Sequence, residues 1–163
     1  MSGFRIGQGF DAHRLAAGRP LMLGGVEVPH DRGLEGHSDG DVLLHATTSA
    51  LLGAIGEGDL GRNFPSSNPE YQGIASSQLL RRVMDRVRER SLAVANLDAT
   101  LIAEEPRLGG FLGQFEARIA ELLEAPTGCI NVKVTSTDGL GAIGRAEGIA
   151  SLAVVLLEPM GDV

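Results

Sequence analysis

The sequence predicts an α+β fold in which helices pack on one face of a single mixed β-sheet. Three observations predict it: alternating apolar segments typical of strands, segments of helical periodicity between them, and their order along the chain, β-β-α-α-β-α-β-β. The chain has 163 residues, of which 43% are hydrophobic and 21% charged. These values favour one globular domain over residues 1–163.

The first third of the chain is predicted to be rich in strands and loops. Phe4–Phe10 is predicted to be a strand. Residues 21–28 are predicted to form either a second, kinked strand or a small hairpin, because Gly24-Gly25 interrupts two apolar segments. His30–His37 and Asn63–Gly73 are polar or proline-containing and are predicted to be loops.

Three helices are predicted. The first begins near Ser38, because Ser38 and Asp41 have the spacing of a capping box, and ends within residues 53–61. The second is amphipathic and covers Ser77–Arg90, and the third covers Leu108–Glu124.

Three strands are predicted in the second half of the chain. Leu92–Ala103 and Ile130–Thr135 alternate apolar with polar residues, and Gly148–Leu157 is nearly continuous in apolar residues. The last strand is therefore predicted to be buried on both faces. The sheet face without helices needs a cover, which a partner subunit would provide.

The composition argues against several classes of function. A net charge of −7 and a pI of about 5.0 argue against a nucleic-acid-binding surface. No apolar run reaches the roughly 18 residues of a membrane span, and the N-terminus does not resemble a secretory signal. Cys129 is the single cysteine, so no disulfide within the chain can form. We therefore expect a cytoplasmic protein.

The strongest chemical signal is the combination of Asp11, His13 and His45. Residues two apart on a strand point to the same side, so Asp11 and His13 can bind one ion. One carboxylate and two imidazoles with an open fourth position are typical of a catalytic zinc site. The alternative is that these are three unrelated polar residues. Asp41 either orients His45 from the same helix face or serves the helix N-terminus.

Two segments are candidates for phosphate binding. Ser38 and Gly40 lie near the start of a predicted helix, where free backbone N–H groups favour an anion, and His37 is a candidate electrostatic partner for a phosphate. His30, beside a proline in a loop, is interpreted as a surface residue.

Residues 135–148 are the second of these segments, since hydroxyls, glycines, an acid and an arginine lie between two strands. Asp138 is a candidate ligand for Mg²⁺, and Arg145 is a candidate for phosphate oxygens. The alternative is a glycine-rich hairpin in which Arg145 pairs with Glu147.

Two further segments have two interpretations each. Asp59, in the turn Gly58–Gly61, either accepts hydrogen bonds from sugar hydroxyls or belongs to a turn that ends a helix. Ala103–Leu108 leaves a strand and enters a helix, where it either presents backbone groups to a base or only marks the end of the strand.

Together these segments resemble the 2-C-methyl-D-erythritol 2,4-cyclodiphosphate synthase family of the non-mevalonate isoprenoid route. The resemblance extends from Arg5 to about Leu157. The motifs that carry it are Arg5–His13, His37–Asp41 with His45, Gly58–Gly61 with Phe64-Pro65, and Gly144–Ala150.

The resemblance implies the functional residues. It implies zinc or another divalent transition metal on Asp11, His13 and His45, and Mg²⁺ or Mn²⁺ entering with substrate near Asp138. It implies that His37 and Ser136 stabilise the transition state. The implied substrate-binding residues are Asp11, His13, His37, Ser38, Asp59, Gly61, Phe64, Ser66, Asn68, Ala103, Pro106, Leu108, Thr135, Ser136, Thr137, Asp138, Ala142 and Arg145.

The resemblance also implies the reaction and the assembly. The 2-phosphate of 4-diphosphocytidyl-2-C-methyl-D-erythritol 2-phosphate would attack its own β-phosphorus and expel CMP, as expected of a phosphorus-oxygen lyase. The implied assembly is a homotrimer in which the sheets of three subunits face each other and the active sites lie between subunits.

Some positions depart from the family pattern. Asp138 occupies the place of a usual glutamate, Ser49 that of a frequent aspartate, and Ser66–Asn68 a loop that usually carries two aspartates. Ala142 replaces a frequent phenylalanine in the trimer channel, where some relatives bind isoprenoid diphosphates through the arginine matching Arg145. Two other functions stay open: a different metal-dependent phosphohydrolase, and a non-catalytic module that binds isoprenoid diphosphates.

Overall fold

The strands form one mixed sheet and one separate hairpin. A computed structural model describes residues 3–161; Met1, Ser2, Asp162 and Val163 of the predicted domain lie outside the described residues. The strands are β1 (Arg5–Ala17), β2 (Leu21–Leu23), β3 (Val26–Val28), β4 (Arg32–Leu34), β5 (Leu92–Ile102), β6 (Ile130–Thr135) and β7 (Gly148–Pro159). The sheet has the order β4-β1-β7-β5-β6, and β2 and β3 form the hairpin. Only the β5–β6 pair of this sheet is parallel.

Helices cover one face of this sheet, as the sequence predicts. The helices are α1 (Val42–Ile55), α2 (Leu60–Asn63), α3 (Ser76–Glu89), α4 (Leu112–Leu123) and α5 (Gly141–Gly144). Helix α1 packs on β1 and β7, α4 packs on β6, and α3 packs against α1 and α4. The apolar face predicted for α3 is buried, including Leu80 and Val83 at 0% exposure. The predicted α+β class is confirmed.

Several predicted boundaries were wrong, either because distant strand pairing overrides the local pattern or because a different residue caps the helix. Strand β1 continues beyond Phe10 to Ala17, because its backbone stays paired with β7 and then with β4. The predicted loop His30–His37 therefore contains a strand. Helix α1 begins at Val42, not near Ser38, because the Asp41 carboxylate caps it by accepting from the N–H groups of Leu43 and Leu44.

Two other expectations need correction. The helix predicted from Leu108 begins at Leu112, after a 3-10 turn at Gly109–Phe111 in which the glycines disfavour an α-helix. Strand β7 is buried on one face only, since Leu152 and Val154 are 37% and 39% exposed on the other.

The contact between β1 and α1 depends on two glycines. A Cβ atom at Gly7 would lie 1.9 Å from the carbonyl oxygen of Ala50, and one at Gly9 would lie 2.0 Å from that of Ala46. No side chain fits between the two backbones at these points. Residues two apart on a strand share a face, so Asp11 and His13 continue the row that faces α1.

Candidate metal centre and active site

Three side chains direct one donor atom each at a common point. The Nδ1 atom of His45 lies 2.8 Å from Asp11 Oδ2 and 3.2 Å from His13 Nε2. The remaining pair, His13 Nε2 and Asp11 Oδ2, is 3.3 Å apart. Donors bound to one tetrahedral zinc at about 2.0–2.1 Å are separated from each other by roughly 3.3 Å. These residues therefore have the spacing of a divalent metal site.

The chemistry of these atoms also fits a cation. His13 Nδ1 lies 2.9 Å from the carbonyl oxygen of Ala12 and donates to it, which leaves the Nε2 lone pair facing the site. Burial lowers the pKa of the His13 imidazole, although the Asp11 carboxylate opposes this shift. A neutral imidazole is the form that binds metals. Two nitrogen lone pairs and a carboxylate this close repel each other unless a proton or a metal ion lies between them.

A cavity of about 160 Å³ opens beside these donors. Seven of the predicted site residues line it: Asp11, His13, His37, Ser38, His45, Phe64 and Ser66. Its apolar wall, which sequence reasoning missed, is formed by Leu60, Tyr71, Ile74 and Leu79. These residues carry no local signal, since apolar side chains in helices and loops usually belong to the core.

Asp59 and Asn68, two predicted substrate contacts near this cavity, have local partners. Asp59 accepts from the N–H of Arg62 at 2.8 Å and begins α2, so the alternative of a helix-ending turn was wrong. Gly61 is in the same helix. Asn68 accepts from the N–H of Glu70 at 3.0 Å. Leu60, Phe64 and Ser66 of the same segment line the cavity, whereas Asp59, Gly61 and Asn68 are not among its lining residues.

A second cavity, of about 390 Å³, lies at the ends of the parallel strands β5 and β6. Five predicted substrate-binding residues line it: Ala103, Pro106, Leu108, Thr135 and Ser136. The two segments meet because Ile102 is the register partner of Thr135. Loops that follow neighbouring parallel strands leave the same edge of the sheet, which is a common place for ligands.

The segment after Ser136 forms a turn and a short helix. Asp138 accepts from the Ser136 hydroxyl at 3.2 Å, and the Thr137 hydroxyl donates to the carbonyl of Leu140 at 2.7 Å. Among the described residues, Asp138 is not part of the three-donor cluster. Ala142 lines a separate cavity of about 210 Å³ that also contacts His13.

Arg145 pairs with Glu147, as the alternative interpretation of residues 135–148 predicts. Its Nε atom donates to Glu147 Oε1 at 2.6 Å on the surface.

The structure decides between the two roles that the sequence left open for Asp41. The Asp41 carboxylate serves the N-terminus of α1, and it also accepts from the N–H groups of Gly24 and Gly25 at 2.9 and 2.7 Å. Burial raises its pKa, and these backbone hydrogen bonds oppose the shift.

The interpretation of His30 as a surface residue was wrong, since its side chain is 14% exposed and its Nε2 lies 3.8 Å from Glu105.

These features define a class of protein: a small α+β domain with a candidate metal centre at a strand–helix contact and a second pocket at a sheet edge. The chain belongs to the YgbB family, which it matches over residues 4–158. In the described part of the chain, no helix combines the length and the apolarity that crossing a membrane requires.

Two curated relatives are each named 2-C-methyl-D-erythritol 2,4-cyclodiphosphate synthase. The protein of Bacillus licheniformis is 53% identical over 95% of this chain and 98% of its own. That of Alkalilimnicola ehrlichii is 55% identical over 94% of each chain.

Solved structures agree with these relatives. IspF of Plasmodium falciparum, in complex with CDP, superposes with a TM-score of 0.87 at 30% identity over 99% of each chain. The bifunctional IspDF of Campylobacter jejuni superposes with a TM-score of 0.93 at 40% identity over 98% of this chain. This chain spans 43% of that longer protein.

Proposed function

We propose that this protein cyclises 4-diphosphocytidyl-2-C-methyl-D-erythritol 2-phosphate to 2-C-methyl-D-erythritol 2,4-cyclodiphosphate and releases CMP, as a phosphorus-oxygen lyase of non-mevalonate isoprenoid biosynthesis. Membership of the YgbB family and the names of relatives that are more than half identical support the reaction. The observation that carries the proposal is the convergence of Asp11, His13 and His45 beside a cavity large enough for phosphate groups.

The reaction requires positioning and charge compensation more than a protein nucleophile. An oxygen of the 2-phosphate forms a bond to the β-phosphorus, and the bond from that phosphorus to the oxygen of CMP breaks with its electron pair. Two phosphates repel each other, so the site must hold them in line and neutralise their charge. When bound by Asp11, His13 and His45, zinc or another divalent transition metal supplies Lewis-acid polarisation of a phosphate oxygen.

The other predicted residues have complementary tasks in this proposal. His37 and Ser38 line the metal-side cavity and would bind phosphate oxygens. Ser136 lines the second cavity and His37 the first. Both would donate to the charge that develops in the transition state where the two cavities meet between subunits. Asp59 and Gly61 would face the erythritol or ribose hydroxyls.

The second cavity suits the cytidine part of the substrate. Ala103, Pro106, Leu108 and Thr135 would hold it there. Asp138 follows directly and would hold a Mg²⁺ or Mn²⁺ that arrives with the diphosphate. That a relative of the same fold was solved with CDP supports this assignment.

We further propose a cytoplasmic homotrimer in which the helix-free sheet faces meet. That face exposes Ile6 and Phe10 at 70% and 58%, together with Leu152 and Val154. Burying such a row of large apolar side chains is favourable by about 25 cal/mol per Å². Among the described residues, none lines both the metal-side cavity and the second cavity. A site between subunits would bring the second cavity of one chain to the metal centre of the next.

Product analysis tests the proposed reaction. We expect purified protein supplied with zinc and Mg²⁺ to release one CMP per substrate and to form a cyclic diphosphate, which ³¹P NMR distinguishes from linear products. The same protein treated with a chelator is the control and should be inactive. A linear product would indicate a metal-dependent phosphohydrolase instead, and a fully metal-loaded protein without turnover would indicate a binding module.

A further inference from the structure

Two buried serines contact the nitrogen of His45 that does not face the metal site. Its Nε2 lies 2.8 Å from the hydroxyl of Ser76 and 3.0 Å from that of Ser38. Ser76 is 0% exposed and Ser38 is 6% exposed. Ser76 is the first residue of α3, so its approach to His45 depends on how α3 packs against α1.

The partner of Ser76 sets the direction of these hydrogen bonds. The Asp39 carboxylate accepts from the Ser76 hydroxyl, and it also accepts from the Ser76 N–H at 3.0 Å. A carboxylate only accepts, and a serine hydroxyl has one hydrogen to donate. With that hydrogen directed at Asp39, the Ser76 oxygen offers a lone pair to His45. Nε2 is then the nitrogen that carries the ring proton, and Nδ1 has the free lone pair.

Asp11 acts against this tautomer when no metal is bound. Its Oδ2 lies 2.8 Å from His45 Nδ1 and would accept a proton placed there. A protonated Nδ1 has no lone pair for a metal ion. The acceptor that Ser76 presents to Nε2 therefore offsets the acceptor that Asp11 presents to Nδ1.

We propose that Asp39 and Ser76 are positioning residues that hold His45 in the tautomer that binds metal. This inference rests on the proposed metal site but not on the identity of the reaction. The proposal assigns Ser76 a chemical role. The sequence alone indicates only that Ser76 lies near the start of a helix. Outer partners of metal-bound histidines commonly change metal affinity by about 10- to 100-fold when they are replaced.

Two substitutions remove the acceptor in different ways. Ser76→Ala deletes the oxygen and leaves the Ser38 hydroxyl, which can donate to Nε2 and so favour the wrong tautomer. Asp39→Asn keeps the shape, but Asp39 receives both the hydroxyl and the N–H of Ser76. Either orientation of the new amide therefore directs its NH₂ at one of these donors. If the NH₂ faces the hydroxyl, Ser76 turns its hydrogen toward His45.

The experiment measures the zinc dissociation constant of the purified full-length chain by competition with a chelator. We expect Ser76→Ala to weaken zinc binding about 10- to 100-fold. Asp39→Asn should weaken it by a smaller factor, because only the amide orientation whose NH₂ faces the hydroxyl reverses Ser76. Ser77→Ala, the neighbouring and less buried serine of the same helix, should leave it unchanged. A second readout is the ¹H resonance of His45 Nε2–H in the zinc-loaded protein, which should move upfield in Ser76→Ala as the closer of its two serine acceptors is lost.

These readouts separate positioning from a general structural role. A residue that only stabilises α3 would lower the unfolding temperature of the metal-free protein without changing zinc affinity at a temperature where the variant is folded. Zinc affinity within twofold of wild type in both variants would overturn the proposal. Wild-type protein that binds no zinc would overturn it together with the metal site, whereas zinc binding without CMP release would refute only the proposed reaction.

Discussion

Replacing Gly9 by alanine is expected to remove metal binding and to destabilise the fold. The new Cβ would lie 2.0 Å from the carbonyl oxygen of Ala46 and 2.7 Å from the backbone nitrogen of Ala50. Both atoms belong to the backbone of α1 and cannot rotate away, so the helix must move off β1. We expect a loss of about 3 kcal/mol in the free energy of unfolding, as for other overpacked interiors.

The same movement would open the metal site. His45 is on α1, one residue before Ala46, while Asp11 is on β1 and Gly9 lies two residues before it. A displacement of about 1 Å is enough to lower activity roughly 100-fold in sites that depend on positioning. Chemical denaturation and zinc titration measure both effects.

Gly113→Ala is the matched control for Gly9→Ala, because a Cβ at Gly113 meets no atom within 4 Å beyond its chain neighbours and the backbone of its own helix. It lies in α4 and should gain a few tenths to about 1 kcal/mol from helix propensity. If the Gly9→Ala variant had the stability and the zinc affinity of the wild type, the close contact between β1 and α1 could not be what positions the donors.

His45→Ala is expected to abolish metal binding and CMP release together. His45 is 5% exposed and its Nδ1 lies within 3.2 Å of both other donors, so its loss leaves two ligands and a cavity. A metal ion contributes several kcal/mol to the stabilisation of transition-state charge, and about 4 kcal/mol corresponds to roughly a 1000-fold change in rate. Elemental analysis and a CMP assay on the same preparation measure the two losses.

His30→Ala is the control for removing an imidazole elsewhere in the chain. His30 lies beside Glu105, outside the three-donor cluster. The variant should retain one ion per chain and most of its activity. Equal loss of metal in His30→Ala and His45→Ala would indicate general unfolding and would contradict a specific role for His45.

The sequence predicted the donor set but not what brings the donors together. Local periodicity indicates that Asp11 and His13 share one face of a strand and that His45 lies in a helix. The approach of β1 to α1 depends on Gly7 and Gly9, and a glycine within a strand has several interpretations. Only the packed structure shows that a helix backbone contacts these two positions.

The polar residues around the helix start show a similar limit. Ser38 and Asp41 both have side chains that cap helices, and the spacing of the two led to the wrong prediction of a helix that begins near Ser38. In the fold, the Ser38 hydroxyl lies near His45 and Asp41 caps α1. Ser76 meets Asp39 across 37 positions of the chain, a separation for which local patterns give no signal.

The fold explains why two separate loops line the second cavity. Residues 103–109 and 134–136 meet because β5 and β6 are parallel neighbours. The sequence predicted both strands, but their pairing and direction are tertiary properties. The residues alone left open whether Ala103–Leu108 presents backbone groups to a base or only marks the end of a strand, and the family resemblance implied that it binds substrate.

The most direct test of the central claim is a titration of metal-free protein with zinc at constant Mg²⁺, in which bound zinc and the rate of CMP release are measured together. If Asp11, His13 and His45 form the active metal centre, the rate rises in proportion to occupancy and reaches its maximum at one zinc per chain. Full activity in protein verified to be free of zinc and other transition metals would contradict the claim.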